Sequence, residues 1–178
     1  MVGGLYFKST GGAAFVAAWR ELCRTTRTPH FRDVFQDLSA DLIPRLMLLE
    51  WAPGDKYIIR FMGTQRADMW GVDLTGKDSI GLMPNTASAA RANLATMSNH
   101  PCGMYHIAQY TTPTGRDIEM ENVTFPVAND PDLPRRLFNF ADETATVAYT
   151  DPVGEVRSVS KRVWIDVGAG LPAKPPRK

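Results

Sequence analysis

The sequence predicts an α+β fold: an antiparallel sheet of about five strands, a helical crossover against one face, and a helix at the N-terminus. Three patterns predict it. Apolar residues recur at helical spacing in two separate stretches, turn-forming clusters split the strand-like runs into two hairpins, and the second helical stretch lies between those hairpins. A hairpin, a crossover and a meander of further strands make one mixed α+β domain, an antiparallel sheet with helices on one side.

Composition fits a single globular unit. The 178 residues are 44% hydrophobic and 22% charged, so the chain has the apolar content of a packed domain. A chain of this length buries roughly 70% of its unfolded surface and needs no disulfide or metal staple. Twenty Lys and Arg against nineteen Asp and Glu give a net charge of +1, without the basic excess that contact with a phosphate backbone demands. We therefore expect no nucleic-acid partner. Cys23 and Cys102 lie far apart and outside any C-x-x-C pair, which argues against a zinc site or a secreted disulfide framework. The apolar run at 13–19 is closed by Arg20 and Glu21, too short to span a membrane and without a signal-peptide pattern. The expectation is a cytoplasmic protein with no membrane contact.

Residues 1–12, with four glycines, carry little periodicity and read as a flexible lead-in. From Ala13, the residues Phe15, Trp19 and Leu22 recur at helical spacing, and Pro29 ends that helix. Two short helical or turn pieces follow, at 31–37 and 41–44. Residues 46–51 and 56–62 are strands, because Pro53, Gly54 and Asp55 between them supply turn geometry. Gly63 ends the second strand, and Thr64 caps a short helix that runs to Trp70 and is closed by Gly71. Ala87, Ala90, Leu94 and Met97 mark a second amphipathic helix, ended by Asn99, His100 and Pro101. A second hairpin joins 103–111 to 117–127 through a turn with Pro113 and Gly115. Residues 135–141 are a fifth strand, 159–167 again look extended, and 171–178 read as a disordered, basic, proline-rich tail. One domain spans 13–170.

The segment RFMGTQRADMWGVDLTGKDSIGLMP, residues 60–84, carries R-x-x-G-T and then G-x-D-L-T-G. With Trp19, Pro29 and LIPRLMLLE upstream and WIDVGAG downstream, it resembles a PAS-like family of short, mostly stand-alone bacterial proteins over about residues 13–172. The resemblance implies a sensory or ligand-binding fold in signal transduction, with no output domain of its own and no shared catalytic residues. It leaves the cofactor unknown. Haem-binding members of the wider fold draw an axial histidine from the crossover-helix region, where His100 stands, although a histidine before proline is more simply a cap. Neither cysteine stands in an Asn-Cys-Arg-type motif, which disfavours flavin photochemistry.

The candidate ligand site is a pocket between sheet and crossover helices. Tyr57, Arg60, His106, Tyr110 and Asn122 interrupt apolar strand runs, and Trp70 and Met97 can close the pocket from the helices. Arg60 either clamps an anionic ligand or pairs internally with Asp68 or Glu50, and the internal pair is favoured. Asp117, Glu119 and Glu121 alternate on one strand face, which reads as a solvated face. Two rival functions stand beside the sensor. One is a small pocket enzyme, an isomerase or hydratase with His106 as base and Asp117 or Glu119 as partner; the other is a ligand-free interaction module. Besides a small molecule, the expected partners are a signalling protein and a second copy of the chain, bound through a Phe15, Trp19 and Leu22 seam.

Overall fold

A computed structural model describes residues 6–25, 28–128, 132–144 and 152–177. Its helices are α1 (Thr10–Leu22), α2 (Phe31–Asp37), α3 (Thr64–Trp70) and α4 (Ala87–Asn99). Its strands are β1 (Leu46–Ala52), β2 (Lys56–Met62), β3 (Cys102–Thr111), β4 (Asp117–Val127), β5 (Arg136–Glu143) and β6 (Glu155–Asp166). All six form one antiparallel sheet in the order β2-β1-β5-β4-β3-β6.

Both predicted hairpins are present. Ala52 pairs with Lys56 across Pro53, Gly54 and Asp55, where Gly54 (φ +80°) and Asp55 (φ +53°) take the left-handed backbone that such a turn requires. Thr111 pairs with Asp117 at the second turn. The strand count is six rather than about five, because the extended run near residue 160 pairs with β3 over its whole length.

Alternation sends successive side chains to opposite faces, and both faces are covered. Leu46, Leu48, Ile107, Val123, Phe125, Phe138 and Phe140 meet α1 and α2 on one face. Met47, Leu49, Met104, Leu137 and Trp164 pack with Leu94 and Met97 of α4 on the other. The expectation of helices on one face is therefore corrected. A strand run such as LMLLE is apolar at consecutive positions because each face has its own helices to bury against.

Helix α1 starts at Thr10, not at Ala13, and includes Gly11 and Gly12. Ser9 is its N-cap, and a Cβ on either glycine would collide with the carboxylates of Asp142 or Glu121. The glycines thus mark close approach of helix to sheet, not flexibility. Phe15 stacks on Phe140 (4.9 Å) and Trp19 on Phe125 (4.8 Å), both rings almost fully buried. The seam expected to hold a second copy is instead packed on the chain's own sheet, and the outward residues of α1 are Thr10, Ala13, Ala14, Ala17, Arg20 and Glu21.

Gly63, not Thr64, is the N-cap of α3, and no side chain caps it. A Cβ at Gly63 would stand 2.5 Å from the Ile43 carbonyl oxygen and run into the Pro44 backbone. Backbone cannot move aside as a side-chain tip can, so Gly63→Ala is expected to lower stability by about 2 kcal/mol or more in chemical denaturation. In the D-L-T-G turn, Asp73 Oδ1 accepts from the Thr75 amide (2.9 Å) and hydroxyl (2.7 Å), and Leu74 is buried. The segment that follows covers the β2 edge: the Ile59 amide donates to Lys77 O, and the Gly76 and Ser79 amides donate to Ile59 O and Tyr57 O.

The C-terminal tail, expected to be disordered, lies against α4 over its described residues. The Arg177 amide donates to Asn93 Oδ1 (2.8 Å), Asn93 Nδ2 donates to Arg177 O (3.1 Å), and Trp164 Nε1 donates to Lys174 O (2.8 Å). Buried Asn93 and Trp164 need partners, and the proline-rich backbone has free carbonyls to offer. Residues 1–5 of the expected lead-in and residue 178 lie outside the described residues.

Candidate functional site

Between the sheet and the α3–α4 side lies a cavity of about 100 Å³. Its walls are mainly apolar: Met47, Leu49, Leu82, Met83, Leu94 and Met104. Polar side chains enter from separate elements: Arg66 and Trp70 from α3, Ser79 from the loop after it, His106 and Tyr110 from β3, Asn122 and Thr124 from β4, Asn139 from β5 and Arg162 from β6. The pairing of His106 with Asn122, and of Thr124 with Asn139, brings these strand residues to adjacent positions on one face.

Of the seven residues singled out from the sequence, the structure brings Trp70, His106, Tyr110 and Asn122 together at this cavity. Trp70 and Tyr110 meet edge to face at 5.9 Å. Met97 is buried in the core beneath α4, and Tyr57 is buried with its hydroxyl 3.2 Å from Ser98 Oγ. Arg60 is exposed and directed to Glu50, its Nε donating at 2.8 Å. Glu50 also accepts from Arg136 Nε at 2.7 Å. Burial alone would raise the Glu50 carboxyl, but the bonds from Arg136 and Arg60 hold it below the usual carboxylate range. Arg60 is therefore a structural partner, away from the cavity.

Sequence reasoning missed Arg66, which is 4% exposed. Its position, three and four residues before Met69 and Trp70, is the signal that places it on the buried face of a short helix. Its Nη2 donates to Met47 Sδ (3.0 Å) and Asn139 Oδ1 (3.3 Å), and Asn139 Nδ2 donates on to Thr124 Oγ1 (3.1 Å). Burial pulls the guanidinium below its ordinary pKa. Among the described residues, the buried side-chain atoms without a hydrogen-bond partner are Trp19 Nε1 and five others: Arg66 Nε and Nη1, Trp70 Nε1, Ser79 Oγ and His106 Nδ1. All five others belong to residues lining this one cavity.

The His106 ring is pulled down to about 3 by burial, with the charges of Arg162 and Arg66 acting in the same direction. Its unfolded value lies near 6.5, so below that pH the unfolded chain takes up a proton that the folded chain does not. Stability must fall as pH drops from about 6.5 toward 3. Chemical denaturation at pH 7 and pH 5 is expected to show a loss of about 1–2 kcal/mol that His106→Asn removes.

The base–acid pair considered for an enzyme is not assembled. His106 faces the cavity, whereas Glu119 and Asp117 lie on the opposite face, with Lys8 and Gln109 bound to Glu119 and Arg157 bound to Asp117. The face read as solvated also holds Glu121, which is fully buried. It accepts from the Lys8 amide (2.8 Å), the Ser9 amide (3.0 Å), the Ser9 hydroxyl and the Tyr105 hydroxyl (2.9 Å). His100, weighed as a haem ligand, caps α4 through its amide to Thr96 O and sets Nε2 3.0 Å from Gly170 O. Burial pushes the thiols of Cys23 and Cys102 up to about 11 and about 12, the latter with help from Asp166.

A family profile described as a PAS domain matches residues 7–140. No curated protein matches significantly. Among solved structures, the Rhodobacter sphaeroides LOV protein is similar at 16% identity and TM-score 0.44, over 55% of this chain and 57% of that one. The PAS domain of Bordetella pertussis BvgS is similar at 14% identity and TM-score 0.46, over 64% and 88%. The Vibrio cholerae VqmA dimer, a DNA-binding LuxR-type receptor, aligns at 8% identity and TM-score 0.46, over 63% and 50%. This chain thus spans only about half the length of two of these three structures. Among the described residues, no helix is long and apolar enough to cross a membrane.

Proposed function

Since this chain belongs to the PAS domain family, a family of sensory and interaction modules, we propose that it is a cytoplasmic small-molecule sensor in signal transduction whose ligand occupies the cavity beneath α3 and α4. One observation carries the proposal. Five unpartnered buried polar atoms from four residues, on α3, the following loop and β3, all belong to the wall of one mainly apolar cavity. Unsatisfied buried donors are rare and unfavourable, each by about 1–3 kcal/mol, so their convergence at a cavity fits an absent polar guest. Trp70, His106, Tyr110 and Asn122 are the residues we assign to that guest from the sequence, and Arg66, Ser79 and Asn139 those added by the structure. The signal leaves through contact with a partner protein, because a ligand acts only through differential affinity for two states of the domain.

A ligand-free interaction module would fill this space. Native mass spectrometry of freshly purified protein beside its denatured mass, with an absorption spectrum of the same sample, tests the reading. A small-molecule mass that is lost on denaturation is expected. A bare, colourless chain whose melting temperature no member of a diverse small-molecule library raises would overturn it.

A further inference from the structure

Arg66 is the most unusual group in the molecule. A guanidinium 4% exposed is held only by a thioether and a neutral amide, with Nε and Nη1 unpartnered. Buried arginines are normally matched by a carboxylate, because an uncompensated buried charge is unfavourable by several kcal/mol. Here the cavity wall has no Asp or Glu, and its other basic groups are Arg162 and the His106 ring. The His106 ring is neutral at pH 7, so the charge that Arg66 meets on this wall is that of Arg162, also positive. Among the described residues, the buried carboxylates are already engaged on the far face of the sheet, Glu50 with Arg60 and Arg136 and Glu121 with the start of α1.

The walls decide which anion fits. Methionine and leucine side chains give a hydrated inorganic ion nothing in exchange for its water, but they suit a hydrocarbon body. The volume of about 100 Å³ is smaller than the roughly 150 Å³ apolar cavity that accepts benzene in another protein, so the guest is at most about the size of one aromatic ring. Trp70 Nε1, Ser79 Oγ and His106 Nδ1 stand at the same wall as further polar partners for the head group.

We infer that the cavity binds a small organic carboxylate, its carboxyl oxygens accepting from the unpartnered donors of Arg66 and its short aliphatic body lying against the methionine and leucine walls. This rests on reading the cavity as a ligand site. It adds the charge and size class of the ligand. Arginine suits the task because its planar donors match a carboxylate and its charge persists where a lysine would lose its proton.

The test uses the full wild-type chain and matched pairs of probes: acetate, propionate, butyrate and valerate against their amides. Titration calorimetry is expected to give at least one acid bound 30-fold or more tighter than its amide. Methionine-methyl NMR is expected to place it, with shifts at Met47, Met83 and Met104, which line the cavity. Arg66→Gln should equalise acid and amide, and Arg66→Lys should restore part of the difference. Amides that bind as well as acids, or an acid preference that survives Arg66→Gln, would overturn the inference while leaving the cavity a ligand site. Inorganic phosphate that binds where every organic acid fails would overturn it in favour of a bare ion. If neither acids nor amides nor phosphate bind, the inference fails, and the ligand-site reading falls with it only where the native mass and the library screen are negative as well. The comparison of acids with amides is made on wild type and holds whether or not a variant folds.

Discussion

Replacing Arg66 by methionine is expected to raise the melting temperature of the ligand-free protein while removing its response to small acids. The side chain is 4% exposed and has no anionic partner, so the folded state carries a desolvated charge that the unfolded chain does not. Methionine keeps much of the length and packs against Met47 and Met69. The loss of a donor to Asn139 Oδ1 removes one hydrogen bond of about 1 kcal/mol, less than the relief from unburying the charge. We expect a net gain of about 1–3 kcal/mol, a few degrees in melting temperature for a chain of this size. Arg60→Met, which breaks a half-exposed pair with Glu50, should lower stability by under about 1 kcal/mol. A drop in melting temperature for Arg66→Met would show that Arg66 is held for packing. A stability gain together with lost ligand response would place Arg66 among groups kept at a thermodynamic disadvantage for function.

Glu121→Ala is expected to be the most damaging single truncation of a carboxylate in the chain. Its two oxygens accept from the amides of Lys8 and Ser9 and from the hydroxyls of Ser9 and Tyr105, at the first turn of α1. Alanine would leave buried donors without acceptors and take negative charge from a helix N-terminus, so a loss of about 3–5 kcal/mol is expected. On the same strand face, Asp117→Ala and Glu119→Ala should each change stability by about 1 kcal/mol or less, because those groups are partly exposed. Denaturation midpoints for the three variants decide the matter. Equal effects across the row would show that the buried position of Glu121 confers nothing special.

Those three carboxylates also show where the sequence stops being legible. Their alternate spacing correctly places them on one face, but spacing does not say what covers that face, and α1 covers only the far end of it. The same applies to α1 itself. Gly11 and Gly12 read as loop residues by intrinsic preference, and tertiary packing against Asp142 and Glu121 overrides that preference. Both hairpins and the helix from Ala87 were legible because their turn residues and periodicity are local signals. Arg66 was not, since a charged residue in a seven-residue helix is exposed far more often than buried, and only the sheet packed above it makes it otherwise. Tyr57 and Arg60 stand out as interruptions in apolar strand runs, and Met97 as a residue that could close the pocket from its helix. Interruption alone does not say which side of a two-faced sheet a residue serves.

The strand order has a kinetic corollary. Each hairpin closes over a short turn, but the two halves of the sheet meet only where Leu46 pairs with Phe140 and Glu50 with Arg136, across about half of the chain. Contacts between such distant segments are rewarded only after a long loop has been closed, so this domain should fold slowly for its size, with the β1–β5 seam as the late event. Met47 and Asn139 stand opposite each other in that seam, and both line the cavity. A ligand that touches both has no binding site until the seam has zipped. Its occupancy should then lengthen the lifetime of the folded domain and leave the speed of folding nearly unchanged.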